Sequence, residues 1–119
     1  MHDFGASSKP PGPDQLRYGG AWRITSSSAT ALPGARLQLN FSARRVFLVM
    51  GSSTAERGVR VLLDGQPIPQ PLAGSDVQGS LLRVSFQRLY RLLELPRVER
   101  HVLTVEPDPG VSAYAFTFG

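Results

Sequence analysis

The sequence predicts an all-β domain, a two-sheet antiparallel β-sandwich of jelly-roll type. Three observations point there. Short stretches of period-two alternation recur along the chain, turn signals separate them, and no stretch shows a convincing helical period. At 119 residues, with 41% hydrophobic and 18% charged content, the chain is one domain by length and ordinary in make-up. A closed barrel is the competing architecture. The run 46–50, apolar on both faces, favours the sandwich because it asks for a central strand covered on each side.

Residues 1–17 include Ser7, Ser8, Pro10, Pro11, Gly12 and Pro13 and almost no apolar pattern. They read as a flexible arm or linker, with the sandwich domain spanning 18–119. Trp22 and Ile24 alternate with Arg23 and Thr25, giving a first strand near 20–27 that the serines at 26–28 bend. Residues 29–32 form a short second strand, ended by Pro33-Gly34. Leu37, Leu39, Phe41 and Ala43 then alternate with polar neighbours, the clearest half-buried strand in the chain. The strand 46–50 follows, closed by Gly51-Ser52-Ser53-Thr54.

Val59, Val61 and Leu63 alternate up to Asp64-Gly65, a hairpin signal because a type I′ turn needs positive φ at both central residues. Residues 66–80 are rich in Pro and Gly and hold one short edge strand at most. The segment 81–95 has two readings. Leu82, Phe86, Leu89 and Leu93 have helical spacing, while Leu82, Val84 and Phe86, then Tyr90 and Leu92, alternate on either side of a break at Gln87-Arg88. The β surroundings favour two short strands, and Pro96 ends the segment on either reading. Residues 101–106 and 111–119 are the last strands, joined by Pro107-Asp108-Pro109-Gly110 into a closing hairpin. In the last one Tyr114, Phe116 and Phe118 share a side, an aromatic face expected to press into the core.

Composition narrows function mostly by exclusion. Cysteine is absent, which removes disulfides, thiolate metal sites and Cys-x-x-Cys chemistry by this chain itself. There is no run of roughly 18 apolar residues and no signal peptide at the start, so the domain is not expected to be membrane-embedded. The net charge of +4 invites a nucleic-acid reading, but the twelve arginines are scattered from Arg17 to Arg100 without an aromatic RNA-binding motif or basic helix. No nucleic-acid partner is expected. His2 and His101 have no carboxylate at ligand spacing, so neither a metal nor another cofactor is expected. No nucleophile elbow or phosphate-binding loop occurs, and Asp64 and Asp76 are each explained by their turns, so no catalytic residue is assigned and an enzyme is not expected.

One ordered set of motifs is more specific. Tyr18-Gly19-Gly20-x-Trp22, the strand 37–43 followed by Val46-Phe47-Leu48-Val49, Leu63-Asp64-Gly65-x-Pro67, Arg88-Leu89-Tyr90-x-Leu92 and the terminal 109–119 run occur in one order. Over residues 18–119 this resembles the C-terminal domain of DipZ-type proteins, cytochrome c biogenesis and thiol:disulfide interchange proteins with an extracytoplasmic thioredoxin-like domain. The resemblance implies a β-sandwich like that of carbohydrate-binding modules. It also implies an accessory role outside the cytoplasm (periplasmic or cell-surface), beside a thioredoxin-like domain or protein. The sequence departs from the full family pattern in lacking the thioredoxin domain and its cysteine pair, so redox activity is not carried over.

An accessory module of this kind would bind a carbohydrate or a partner protein. Sugars stack their apolar C–H face on aromatic rings, with polar side chains nearby for the hydroxyls. Tyr18, Trp22 and Tyr90, with Arg88 and Arg91 close in sequence, are the candidate ligand-binding residues. Each has a plainer reading: Trp22 as a core plug in phase with Ile24, Tyr90 packed with only its hydroxyl wet, and Tyr18 as an interdomain contact. The alternative function is a purely structural scaffold for a thioredoxin-like domain, with no small ligand.

Overall fold

The computed structural model describes residues 2–3, 15–52 and 55–119. Among these residues ten strands pair antiparallel throughout. They are β1 (His2–Asp3), β2 (Leu16–Gly19), β3 (Ala21–Ile24), β4 (Ala29–Ala31) and β5 (Arg36–Ser52), then β6 (Arg57–Leu63), β7 (Gln66–Pro67), β8 (Leu81–Val84), β9 (Arg88–Pro107) and β10 (Val111–Phe118). A 3-10 turn, Gln70–Leu72, interrupts them, with Pro71 inside it.

The architecture turns on the two long strands. β5 and β9 pair along almost their whole length and pass through both layers of the sandwich. In the first layer residues 36–43 of β5 lie between β2 and residues 99–105 of β9, and β6 adds on beyond with β7 and β8. In the second, residues 45–50 of β5 lie between β10 and residues 88–94 of β9, followed outward by β4, β3 and β1. The corner between layers is an irregularity in which Arg44 stands opposite residues 95–98. Arg44 Nε donates to the Leu95 carbonyl across it (3.2 Å). The inward phase of β5 flips there, from Leu37, Leu39, Phe41 and Ala43 to Val46, Leu48 and Met50, which an inserted residue does to any strand. Both sets join one core with Trp22, Tyr90, Leu92, Leu103 and Val105.

Several expectations hold. Residues 81–95 are strand on both sides of a break, in β8 and the start of β9. Asp64 and Gly65 have φ of 52° and 79°, both positive as a type I′ turn requires. Others need correction. Pro96 does not end a strand: it sits in the corner of β9, where no ladder partner needs its missing N–H. Residues 101–106 and 111–118 form no hairpin. The turn at Asp108 instead carries the chain from β9 in the first layer to β10 in the second, where β10 pairs with β5 and β4. The strand 46–50 is covered on one face only, leaving Phe47 and Val49 partly exposed on the other. Strand pairing in the first layer begins at Leu16, two residues before the expected domain boundary, while most of residues 1–14 lie outside the described residues.

Of the aromatic row of β10, Phe116 and Phe118 keep the expected inward side, but a bulge breaks the alternation at Tyr114 and the row is not buried. Phe116 and Phe118 stand opposite the inward Leu48 and Val46, while Tyr114 falls at a bulge between Ala113 and Ala115. β4 reaches only Ser112 and Ala113 of β10, so the aromatic half of the strand lies at an open edge. Tyr114 is 38% and Phe118 47% exposed as a result.

Candidate functional site

Two concave surfaces stand out, one on the second layer and one where β10 of the second layer meets β2 and β5 of the first. The first lies on the outer face of the second layer, a groove of about 300 Å³ lined by Arg45, Phe47, Gly74, Leu89, Arg91, Leu93 and Glu94. Cross-strand register builds it. Thr117, Phe47 and Arg91 form one row across β10, β5 and β9; Ala115, Val49 and Leu89 form the row on one side, and Arg45 faces Glu94 on the other. Directly opposed side chains on one face sit close enough to act together, so a hydroxyl, an aromatic ring and a guanidinium share the middle row. Arg45 Nε meets Glu94 Oε1 at 3.4 Å, an exposed pair that orients more than it stabilises.

One wall is the segment after the 3-10 turn. Gly74 donates its N–H to the Leu92 carbonyl (3.0 Å) and lies so flat on β9 that a Cβ there would sit 2.3 Å from the Arg91 oxygen. Only glycine fits this approach. Two residues on, Asp76 accepts from both nitrogens of the Arg88 fork (2.8 and 3.3 Å) and from the Arg91 backbone N–H (2.7 Å). The Arg88 hydrogen bond, outweighing the opposing effect of burial, holds the Asp76 carboxyl below its ordinary range, and Arg88 is raised in turn. Arg88 also lies over the Tyr90 ring, 3.9 Å from its centroid.

The second concavity is the open edge. Leu16, Leu39, Phe41, Phe116 and Phe118, with Asn40 and Ser42, line a groove of about 520 Å³ that is mostly apolar. Phe118 stacks on Phe41 with centroids 6.5 Å apart. Smaller depressions continue the edge past Tyr18 and Tyr114.

The five sequence candidates do not converge on one surface. Trp22 is fully buried; its indole N–H donates to the Gly19 carbonyl (2.8 Å), and Tyr18 meets its ring edge-on at 5.4 Å. Tyr90 is fully buried too. Its hydroxyl donates to the Phe86 carbonyl (2.9 Å) and accepts from the Ser85 N–H (3.1 Å), so neither ring has a face open to solvent. Tyr18 lies along the open edge, whereas Arg88 and Arg91 meet around Asp76 beside the outer groove. The sequence reading missed Phe47, Arg45 and Glu94. Phe47 looked like core because it lies in an apolar run, and its pairing with Arg91, 44 positions away, is a matter of long-range register.

Among the described residues no three His, Cys, Asp or Glu side chains are grouped to hold a metal ion, and no helix is long and apolar enough to cross a membrane. His101 does gather two carboxylates, Asp64 at Nδ1 (2.5 Å) and Glu99 at Nε2 (2.9 Å), but from opposite sides of its ring.

Comparison with known proteins places this geometry. The family model described as "Thioredoxin like C-terminal domain" matches residues 1–119. No curated protein sequence matches the chain. Among solved structures it is similar to a family two carbohydrate esterase from Cellvibrio japonicus, at 17% identity and a TM-score of 0.67, over 88% of this chain and 30% of that one. It is similar also to the family two carbohydrate esterase of Clostridium thermocellum in complex with cellohexaose, at 18% identity and a TM-score of 0.67, over 88% and 31%. An active-site mutant of that enzyme gives 19% and 0.69, over 89% and 31%. The chain thus spans under a third of these esterases, and at such identity the likeness is one of fold.

Proposed function

The chain belongs to the family of thioredoxin-like C-terminal domains, and on that footing we propose that it is a non-catalytic accessory module of a DipZ-like extracytoplasmic thiol:disulfide and cytochrome c biogenesis system, and that it binds a carbohydrate. The thiol chemistry belongs to a thioredoxin-like neighbour, since this chain has no cysteine. The outer-face groove carries the carbohydrate reading. Its volume of about 300 Å³ suits a small ligand, and its aromatic floor at Phe47 is edged by Arg45, Arg91 and Glu94, groups that hydrogen-bond hydroxyls. Of the sequence candidates, Arg91 makes direct contact on this reading and Arg88 positions it through Asp76. Titration of the isotopically labelled chain with a panel of neutral and acidic oligosaccharides tests it. Amide shifts clustered on Phe47, Leu89, Arg91 and Glu94 are expected; no perturbation by any saccharide removes the carbohydrate from the proposal.

The open edge favours a second reading, a structural scaffold for the thioredoxin-like domain with no small ligand. This groove is larger and more apolar than the outer one, and Tyr18, the candidate interdomain contact, lies along the same edge. Amide exchange with and without that domain separates the readings. Protection gained at Leu16, Phe116 and Phe118 supports the scaffold, and unchanged protection there argues against it.

A further inference from the structure

We propose that the outer-face groove selects an anionic pyranose, one bearing a ring carboxylate as a uronic acid does, over a neutral sugar; this rests on the carbohydrate reading above. Charge complementarity sets the preference. Two carboxylates border the groove, and each already has its cation: Glu94 is met by Arg45 at 3.4 Å, and Asp76 by the Arg88 fork at 2.8 and 3.3 Å. Asp76 turns its remaining contact to the Arg91 backbone N–H (2.7 Å), not to the Arg91 side chain. The Arg91 guanidinium is therefore a cation in excess, exposed, and in no ion pair among the described residues.

Its position makes that charge specific. Arg91 and Phe47 are direct cross-strand partners on the outward face. A pyranose laid on the Phe47 ring would bring a carboxylate on its C5 carbon within reach of the guanidinium fork, which matches a carboxylate bidentately. The opposite neighbour of Phe47 is Thr117, whose hydroxyl suits the ring's own hydroxyls. Three fixtures keep Arg91 in place: its N–H on Asp76, the ladder to β5, and the Gly74 backbone packed against its carbonyl.

Calorimetric or NMR titration of the whole chain at low salt tests this with trigalacturonate, its methyl ester, cellohexaose and the open-chain acid gluconate. The acid is expected to bind about tenfold tighter than its ester, the increment of one charge-assisted pair in an exposed site. Arg91→Gln should erase that preference, and Phe47→Ala should weaken acid and ester alike. If acid and ester bind equally, or Arg91→Gln keeps the preference, this inference falls while the carbohydrate reading stands. Gluconate binding as tightly as trigalacturonate would reduce the site to a simple anion contact and overturn it too. If no saccharide shifts the Phe47 and Arg91 amides, both fall.

Discussion

Two sets of aromatic residues occupy contrasting places in this molecule. Trp22 and Tyr90 are wholly buried, each with its polar atom satisfied by a nearby backbone group. Tyr114, Phe116 and Phe118, with Phe47 across the sheet, lie partly exposed along an open edge and an outer face. From the sequence the terminal row is expected as core, while Trp22 and Tyr90 are candidate ligand contacts with a core reading beside each. The structure puts both of these in the core and opens the terminal row instead. The contrast teaches that alternation reports which side of a strand a residue takes, and not whether anything covers that side. Phe116 and Phe118 do point inward, but β4 pairs with β10 only as far as Ala113, so inward there means toward an opening.

The largest test of this contrast is Trp22→Ala. Removing a fully buried indole leaves a cavity and an unanswered Gly19 carbonyl, and a loss of about 3–5 kcal/mol is expected. Urea unfolding measures it. A loss below about 1 kcal/mol would mean that the ring is not the core plug described, and would return it to the list of ligand contacts.

Much of the fold was legible because it rests on local rules. The Asp64-Gly65 turn, the alternation of 37–43 and the strand character of 81–95 all follow from neighbours in sequence. What stayed hidden is set at long range. The fusion of 36–52 into one strand through both layers, and of 88–107 into its partner, depends on the corner at Arg44, which looks like any loop of charged residues. The crossing of β10 to the other layer was hidden in the same way, because Pro107 to Gly110 has the chemistry of a tight turn whichever sheet it enters. For the site, Arg88 and Arg91 were named, but the groove that uses Arg91 needed Phe47 from β5 and Gly74 from a loop, and only register brings those together.

Phe118→Ala is the counterpart on the exposed side. The ring is 47% exposed and keeps one stacking partner, Phe41, so its loss should cost about 1 kcal/mol or less by the same urea measurement. Because the ring lines the edge groove, the same substitution should reduce any protection conferred by a thioredoxin-like domain. A destabilisation rivalling that of Trp22→Ala would erase the distinction between the two sets and make the terminal row core after all.

The smallest expected effect comes from a histidine one ring removed from Phe118, through the buried Phe41. His101 tilts against Phe41, with ring centres 6.3 Å apart, and places a nitrogen on each of Asp64 and Glu99. A neutral imidazole has one donor, so only the imidazolium satisfies both carboxylates. Burial pulls the His101 pKa down, but the hydrogen bonds and charges of Glu99 and Asp64 outweigh it and the net shift is upward. A raised value means that the folded state holds the proton more tightly. The clamp therefore contributes fully below the ordinary histidine value of about 6.5, and its contribution fades as pH climbs through the higher folded value. Glu99 is shifted the opposite way, chiefly by its hydrogen bond to His101, so its share is lost only as pH falls through its lowered value, in acid. Urea midpoints of the native chain and of His101→Gln, compared from pH 5 to 9 (a range set by the titration span of histidine, roughly two units either side of its ordinary value), should differ most at the low end and converge at the high end. A gap that stays level, or widens toward alkaline pH, would show that the histidine sits there neutral, holding one carboxylate at most, and that the hairpin at Asp64 relies on the backbone bonds of Val102 and the β6–β9 ladder.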